Sequence, residues 1–348
     1  MRVAHVRERY AAAGTQWRLA ASGAGSAGWV DLAVARRRLL ARDAERAHNS
    51  VLFRQPISTL DELLGRGLRI AALGELLEGF EALARSGAVD ADDDALLDAA
   101  DLAFGPPILR PPSFRDFYVF ERHVRTMWER RGGEVPEAWY RLPIFYFSNT
   151  SEIRGPAEPV WPPSGSSELD FELEVGAIVD TPLFDAPADR AEEGIGGYTV
   201  LADWSARDLQ RDETVVRLGP AKGKDFATSI GPWIVTPDDI AGARAPGAKG
   251  PDLGMTAAVM TGDGRTVEIS RGTWASAQFS FGEMLERASR DVHVRPGELL
   301  GSGTVGSGCL LEVKDETLGR WLEPGDEVRL SIDRIGTLVT PIVERPRP

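Results

Sequence analysis

Residues 169–180 read LDFELEVGAIVD, in which Asp170, Glu172 and Glu174 alternate with Phe171, Leu173 and Val175. A period of two predicts a β-strand with three carboxylates on one face and three apolar side chains on the other. Residues two apart lie about 6.6 Å apart along a strand, so neighbouring carboxylates can converge on one divalent cation. A half-buried strand with a solvated acidic face has the same pattern and is the commoner case. Like charges crowded on one face repel unless a cation neutralises them, and this favours the metal-binding reading.

Working outward, similar short runs follow Gly132: LPIFYFS (142–148), YTVLADWSA (198–206), GPWIVT (231–236), TVEIS (266–270), TWASAQFSF (273–281), CLLEV (309–313), EVRLSI (327–332) and TLVTPIV (337–343). Their β-branched and aromatic content and their Gly, Pro and Asp punctuation predict strands. Upstream, residues 1–36 read as a few strands around a small-residue loop at Ala21 to Gly28, whereas leucines at helical spacing predict helices from Asp61 to Leu102. The acidic run Asp90 to Asp94 reads as a helix N-terminus, and Ser113 with Asp116 as the start of the amphipathic helix that carries His123. The cluster Pro106, Pro107, Pro111 and Pro112 sets a boundary between a small N-terminal domain, residues 1–105, and a larger, predominantly β domain, residues 106–348.

Forty Lys plus Arg against 53 Asp plus Glu give a net charge of −13, which excludes a nucleic-acid footprint and an anionic membrane surface as expected partners. One cysteine, Cys309, leaves no internal disulfide and no cysteine-based zinc site. The charged N-terminus lacks a signal-peptide core and no apolar run approaches the ~18 residues of a membrane span, so a cytoplasmic protein is expected.

Only four lysines and four histidines (His5, His48, His123 and His293) are available for chemistry. Lys222 and Lys224 fall together in LGPAKGKDFATSIGPW (218–233), whose glycine spacing is not that of a phosphate loop. Arg207 and Gln210 in ADWSARDLQRDE (202–213) would share a helix face next to Asp203. GSGTVG (301–306) matches G-x-G-x-x-G, but with a turn before it and strand-like CLLEV after it, it reads as a tight loop bringing Thr304 to a ligand or as a bulged hairpin.

Seven segments in order, RPPSFRDFYVFERH, LPIFYFSN, LDFELEVG, DWSARDLQ, GPAKGKDFATSIGPW, SGTVGSGCLLE and EPGDEVRLSIDRIGTL, together resemble the fumarylacetoacetase-like (fumarylacetoacetate hydrolase) family. The resemblance implies an α+β, predominantly β fold, a mixed β-sandwich roll with a smaller N-terminal α+β domain, and a homodimer. It further implies one divalent cation (Mg²⁺, or else Mn²⁺ or Ca²⁺) held by Asp116, Glu172, Glu174 and Asp203. His123 and Glu312 would activate water, Arg207, Gln210 and Lys224 would bind substrate and enolate oxygens, and Tyr118, Tyr146, Thr304 and Arg131 would complete the pocket, Arg130 being the other candidate for that arginine. Asp170 is left without a role. The implied activity is hydrolysis of a C–C bond in a small diketo acid through a metal-stabilised enolate. Decarboxylation, hydration or isomerisation of a 2-oxo acid on the same site, and non-catalytic oxo-acid binding, are the alternatives. Thr214 stands where fumarylacetoacetases carry a tyrosine, and YFSN where they carry Tyr-His-Gly, which points away from fumarylacetoacetate itself.

Overall fold

The computed structural model describes residues 1–348 except 13, 24–27, 91 and 348, and the side chains of residues 47 and 49. Residues 24–27 of the expected loop from Ala21 to Gly28, and Ala91 of the acidic run, therefore lie outside the described residues, while Ala21 and Ser22 end one strand and Gly28 opens the next. Strands Ile195–Asp203, Leu173–Val179, Leu299–Gly301 and Phe114–Phe117 lie side by side in a 12-stranded mixed sheet. Arg2–Glu8 pairs with Thr228–Val235, so strands from the first hundred residues extend that same sheet. A four-stranded antiparallel sheet, Thr266–Thr273, Gly254–Met260, Glu327–Ile332 and Gly336–Pro341, forms a second layer. The architecture is α+β.

Apolar residues on both faces explain why the central strands read as near-continuous hydrophobic runs. On one face Val175, Ala177, Val200 and Ala202 pack with Met255, Ala257, Leu330 and Leu338 of the second sheet. On the other, Ile178, Leu201, Phe114 and Leu299 pack beneath the helices Leu32–Arg42, Leu60–Gly65 and Gly74–Arg85. Two residues beyond Phe114, Leu201 and Leu299 come Asp116, Asp203 and Gly301, which alternation places on this same face. A row of apolar side chains thus gives way to carboxylates at one end of the sheet.

Several local readings are corrected. The run 169–180 is two strands, Leu169–Asp170 and Leu173–Val179, because Leu169–Asp170 pairs with Ser205–Ala206 in a separate ribbon. Asp116 is not in a helix: Phe114–Phe117 is held between Leu299–Gly301 and Phe145–Ser148, and the helix starts at Glu121. Asp31 ends a strand and caps the helix Leu32–Arg42, accepting from the Ala33 and Val34 amides at 3.0 Å, where a further strand was expected. The acidic run opens no helix; Leu96–Asp98 is a strand on Gly28–Asp31, and Asp93 and Asp94 pair with Arg38. Between Thr273, which ends a strand, and Phe281, which opens the helix Phe281–Ser289, the chain forms the short 3₁₀ turn Trp274–Ser276 in place of the expected strand, and CLLEV is the helix Leu310–Val313.

His5 links the strands to the helical layer. Its Nε2 accepts from the Leu60 amide at 3.0 Å, so its Nδ1–H donates to the Pro106 carbonyl at 2.8 Å and the ring is neutral. Burial pushes its pKa below the usual value, outweighing the Pro106 hydrogen bond. Below about pH 6.5 the unfolded chain binds a proton that the native ring refuses, so this contribution to stability is present above that pH and is lost as pH falls. Thermal unfolding of the wild type should drop more steeply between about pH 7 and pH 5 than that of His5→Gln; parallel profiles would refute this role.

Candidate active site

Asp116, Glu174 and Asp203 come from three strands and bring carboxylate oxygens within 4.8 Å of one another. All three are buried. Their approach depends on Gly301, which lies across from Asp116 and Gly176 in the sheet. A Cβ there would stand 2.6 Å from an oxygen of Asp116 and 2.6 Å from one of Glu174. Burial, followed by mutual repulsion within the cluster, raises the pKa of Asp116 and Glu174 well above the carboxylate range.

The donor set fits a hard divalent cation. Asp116 Oδ1, Glu174 Oε1 and Asp203 Oδ1 are each buried with no hydrogen-bond partner, one oxygen from each carboxylate. An orphaned acceptor in the interior carries a large desolvation cost. Three together are the donor set that a hard, oxygen-liganded divalent ion would take. Glu172 differs from the other three, since its oxygens accept from Arg207 and from Lys224, each at 2.7 Å. Burial raises its pKa, but Lys224 and Arg207 together outweigh that effect and hold it well below the usual range.

Beside the cluster is a cavity of about 240 Å³, lined by Asp116, Tyr118, His123, Arg131, Tyr146, Glu172, Arg207, Gln210, Lys224 and Thr304, with Met127, Ile144, Phe145 and Leu311 as apolar wall. Ten of the thirteen residues singled out from the sequence face it. Glu174 and Asp203 stand in the carboxylate cluster, and Glu312 stands behind His123. Arg131 lines the cavity, whereas Arg130 donates to the Glu312 carbonyl at 3.0 Å.

His123, on the helix Glu121–Arg130, holds its Nδ1 2.5 Å from Glu312 Oε1 and its ring edge-on to Tyr118. The Ser307 amide donates to the other Glu312 oxygen. Bonding at Nδ1 leaves Nε2 for the cavity side, the arrangement of an oriented general base.

Lys224 Nζ donates to Glu172 at 2.7 Å and to Asp203 at 2.6 Å, and Tyr146 donates to Asp203 at 2.7 Å. Burial alone would lower the Lys224 pKa, but Asp203 and Glu172 overcome it and the amine stays an ammonium, a donor rather than a base. Arg207 donates to Asp170, Glu172 and Gln210 and keeps its second terminal nitrogen buried without a partner. Thr304 Oγ1 is likewise buried and unpartnered. The loop delivering Lys224 is pinned by Glu213, whose carboxylate accepts from the amides of Ala221, Lys222 and Gly223 at 2.7 to 3.1 Å. Glu213 carries no motif signal in the sequence, and Gly301 shows there only as the first glycine of a tight loop. Gly301 ends the strand Leu299–Gly301, where a turn was expected, and the helix Leu310–Val313 begins nine residues on, where a strand was expected; its backbone packs against carboxylates, which excludes a pyrophosphate cradle.

Buried carboxylates, a His–Glu pair and an unpartnered Arg207 nitrogen thus converge on one small cavity. The fumarylacetoacetate (FAA) hydrolase C-terminal family matches residues 113–343. Fumarylacetoacetase of Arabidopsis thaliana is 30% identical over 272 residues, 63% of this chain and 64% of that protein. A Mycobacterium tuberculosis protein is 30% identical over 254 residues, 72% of this chain and 82% of that one. Fumarylacetoacetate hydrolase from Exiguobacterium antarcticum aligns with a TM-score of 0.67 at 21% identity, over 99% of this chain and 100% of that chain. The chain spans just under two thirds of the length of the plant relative. It belongs to the fumarylacetoacetate hydrolase family. Among the described residues no helix is long and apolar enough to cross a membrane.

Proposed function

We propose that this chain hydrolyses a C–C bond in a small diketo acid, an acylpyruvate or a fumarylacetoacetate-like compound. The observation that carries this reading is the His123–Glu312 pair beside the carboxylate cluster, because hydrolysis needs a base for water, and enolate stabilisation alone does not. Asp116, Glu174 and Asp203, with Glu172 beside them, would hold a divalent cation, which would stabilise negative charge on substrate oxygen.

The unpartnered nitrogen of Arg207, the third hydrogen of the Lys224 ammonium and the Gln210 amide bind the carboxylate and oxo oxygens of the substrate. His123 Nε2 takes a proton from water, whose oxygen attacks the distal carbonyl, and Glu312 holds the ring and stabilises the imidazolium. As the C–C bond breaks, electrons move onto the oxygen faced by Arg207 and Lys224, and a proton then restores the oxo acid. Met127, Ile144, Phe145 and Leu311 fit an apolar acyl group, and Arg131 at the end of the His123 helix fits a carboxylate on longer substrates.

Loss of enol absorbance from acylpyruvates with Mn²⁺, restored after EDTA by readdition of the metal, tests the reading. Turnover is expected to fall at least about 100-fold on chelation. Full activity in EDTA would overturn it.

A further inference from the structure

Asp170 is fully buried, two residues from Glu172, and has no contact with the cavity. Its two oxygens accept four hydrogen bonds. Oδ1 takes the Phe171 amide at 2.7 Å and the Leu310 amide at 2.8 Å; Oδ2 takes Arg207 Nε at 2.8 Å and the Leu311 amide at 2.9 Å. The carboxylate therefore caps the helix Leu310–Val313, which carries Glu312, and at the same time fixes the guanidinium of Arg207.

These contacts join the two halves of the site. Arg207 Nη1 donates to Glu172 and Gln210, so its free terminal nitrogen is aimed by the bond at Nε. Glu312 Oε1 meets His123, so the direction of the base is set by the short helix that Asp170 holds. Four residues are too few for a helix to hold its own shape, and the cap replaces what length would give.

We infer that Asp170 is a positioning residue that locks the Arg207 donor and the Glu312–His123 pair into one rigid unit, so that a single carboxylate sets both substrate alignment and the direction of the base. This rests on the hydrolytic reading above. An asparagine can satisfy at most two of the four donors, since its amide nitrogen meets N–H groups on one side.

The test uses full-length protein, Mn²⁺ and acetylpyruvate, comparing wild type, Asp170→Asn, Glu312→Gln and the double variant. Asp170→Asn is expected to lower kcat by at least about 30-fold and raise KM at least about 5-fold, while Mn²⁺ affinity by calorimetry stays within about twofold. In the Glu312→Gln background its effect on kcat should shrink to below about threefold while its effect on KM persists. A merely structural role would give the same kcat loss in both backgrounds, and that result, or unchanged kcat and KM, overturns the inference. Should Asp170→Asn not fold, Asp170→Ser, which keeps one acceptor for the Leu310 amide, is read by the same outcomes. If the wild type does not turn over acetylpyruvate, the hydrolytic reading on that probe fails separately. The positioning role is then read from the His123 Nδ1 proton by NMR: its loss in the variant supports the role and its retention overturns it.

Discussion

Alanine at Gly301 is expected to weaken Mn²⁺ binding at least about 100-fold and to abolish turnover, with the fold retained. The added carbon would stand 2.6 Å from oxygens of both Asp116 and Glu174 and 3.1 Å from the Phe114 ring. Strand pairing on both sides of Gly301 fixes the backbone, so the carboxylates must splay, and a hard cation with oxygen ligands at about 2.0–2.6 Å loses its ligand geometry. Calorimetry with Mn²⁺ and circular dichroism check this together. Affinity within a few-fold of wild type in a folded Gly301→Ala protein would show that the cluster is not the metal site.

His123→Ala is expected to reduce hydrolysis by about 10²- to 10⁴-fold, the range over which a positioned base acts, while Mn²⁺ affinity is kept. Glu312→Gln should give a smaller loss, because the ring remains but its orientation and the imidazolium charge are less well supported. Steady-state kinetics on one acylpyruvate separates the two. Equal activity of His123→Ala and wild type would remove water activation from this ring.

What was legible in the sequence followed local periodicity. The strand Leu173–Val179 and the helices Leu60–Gly65 and Gly74–Arg85 show their apolar spacing directly, and the carboxylates of 170–174 announce themselves as an anomaly on a strand. Where a tertiary partner decides the local state, the pattern misleads. CLLEV has strand composition, yet a carboxylate 140 residues away accepts the Leu310 amide and makes it a helix. Asp116 looks like the first turn of a helix and becomes part of a central strand, because Leu299–Gly301 and Phe145–Ser148 take up its backbone on both sides. The role of Asp170 lies wholly in such contacts, and so does the choice between Arg130 and Arg131, which the helix end decides: Arg130 is its last residue and Arg131 lies just beyond it.

Product analysis in ¹⁸O-water tests the hydrolytic claim most directly. Acetylpyruvate with Mn²⁺ is expected to give two acids, acetate and pyruvate, with one solvent oxygen in the acetate carboxylate, formed at least about 100-fold more slowly by Asp203→Asn or His123→Ala. An intact carbon skeleton, release of CO₂, or acetate free of solvent oxygen would contradict it.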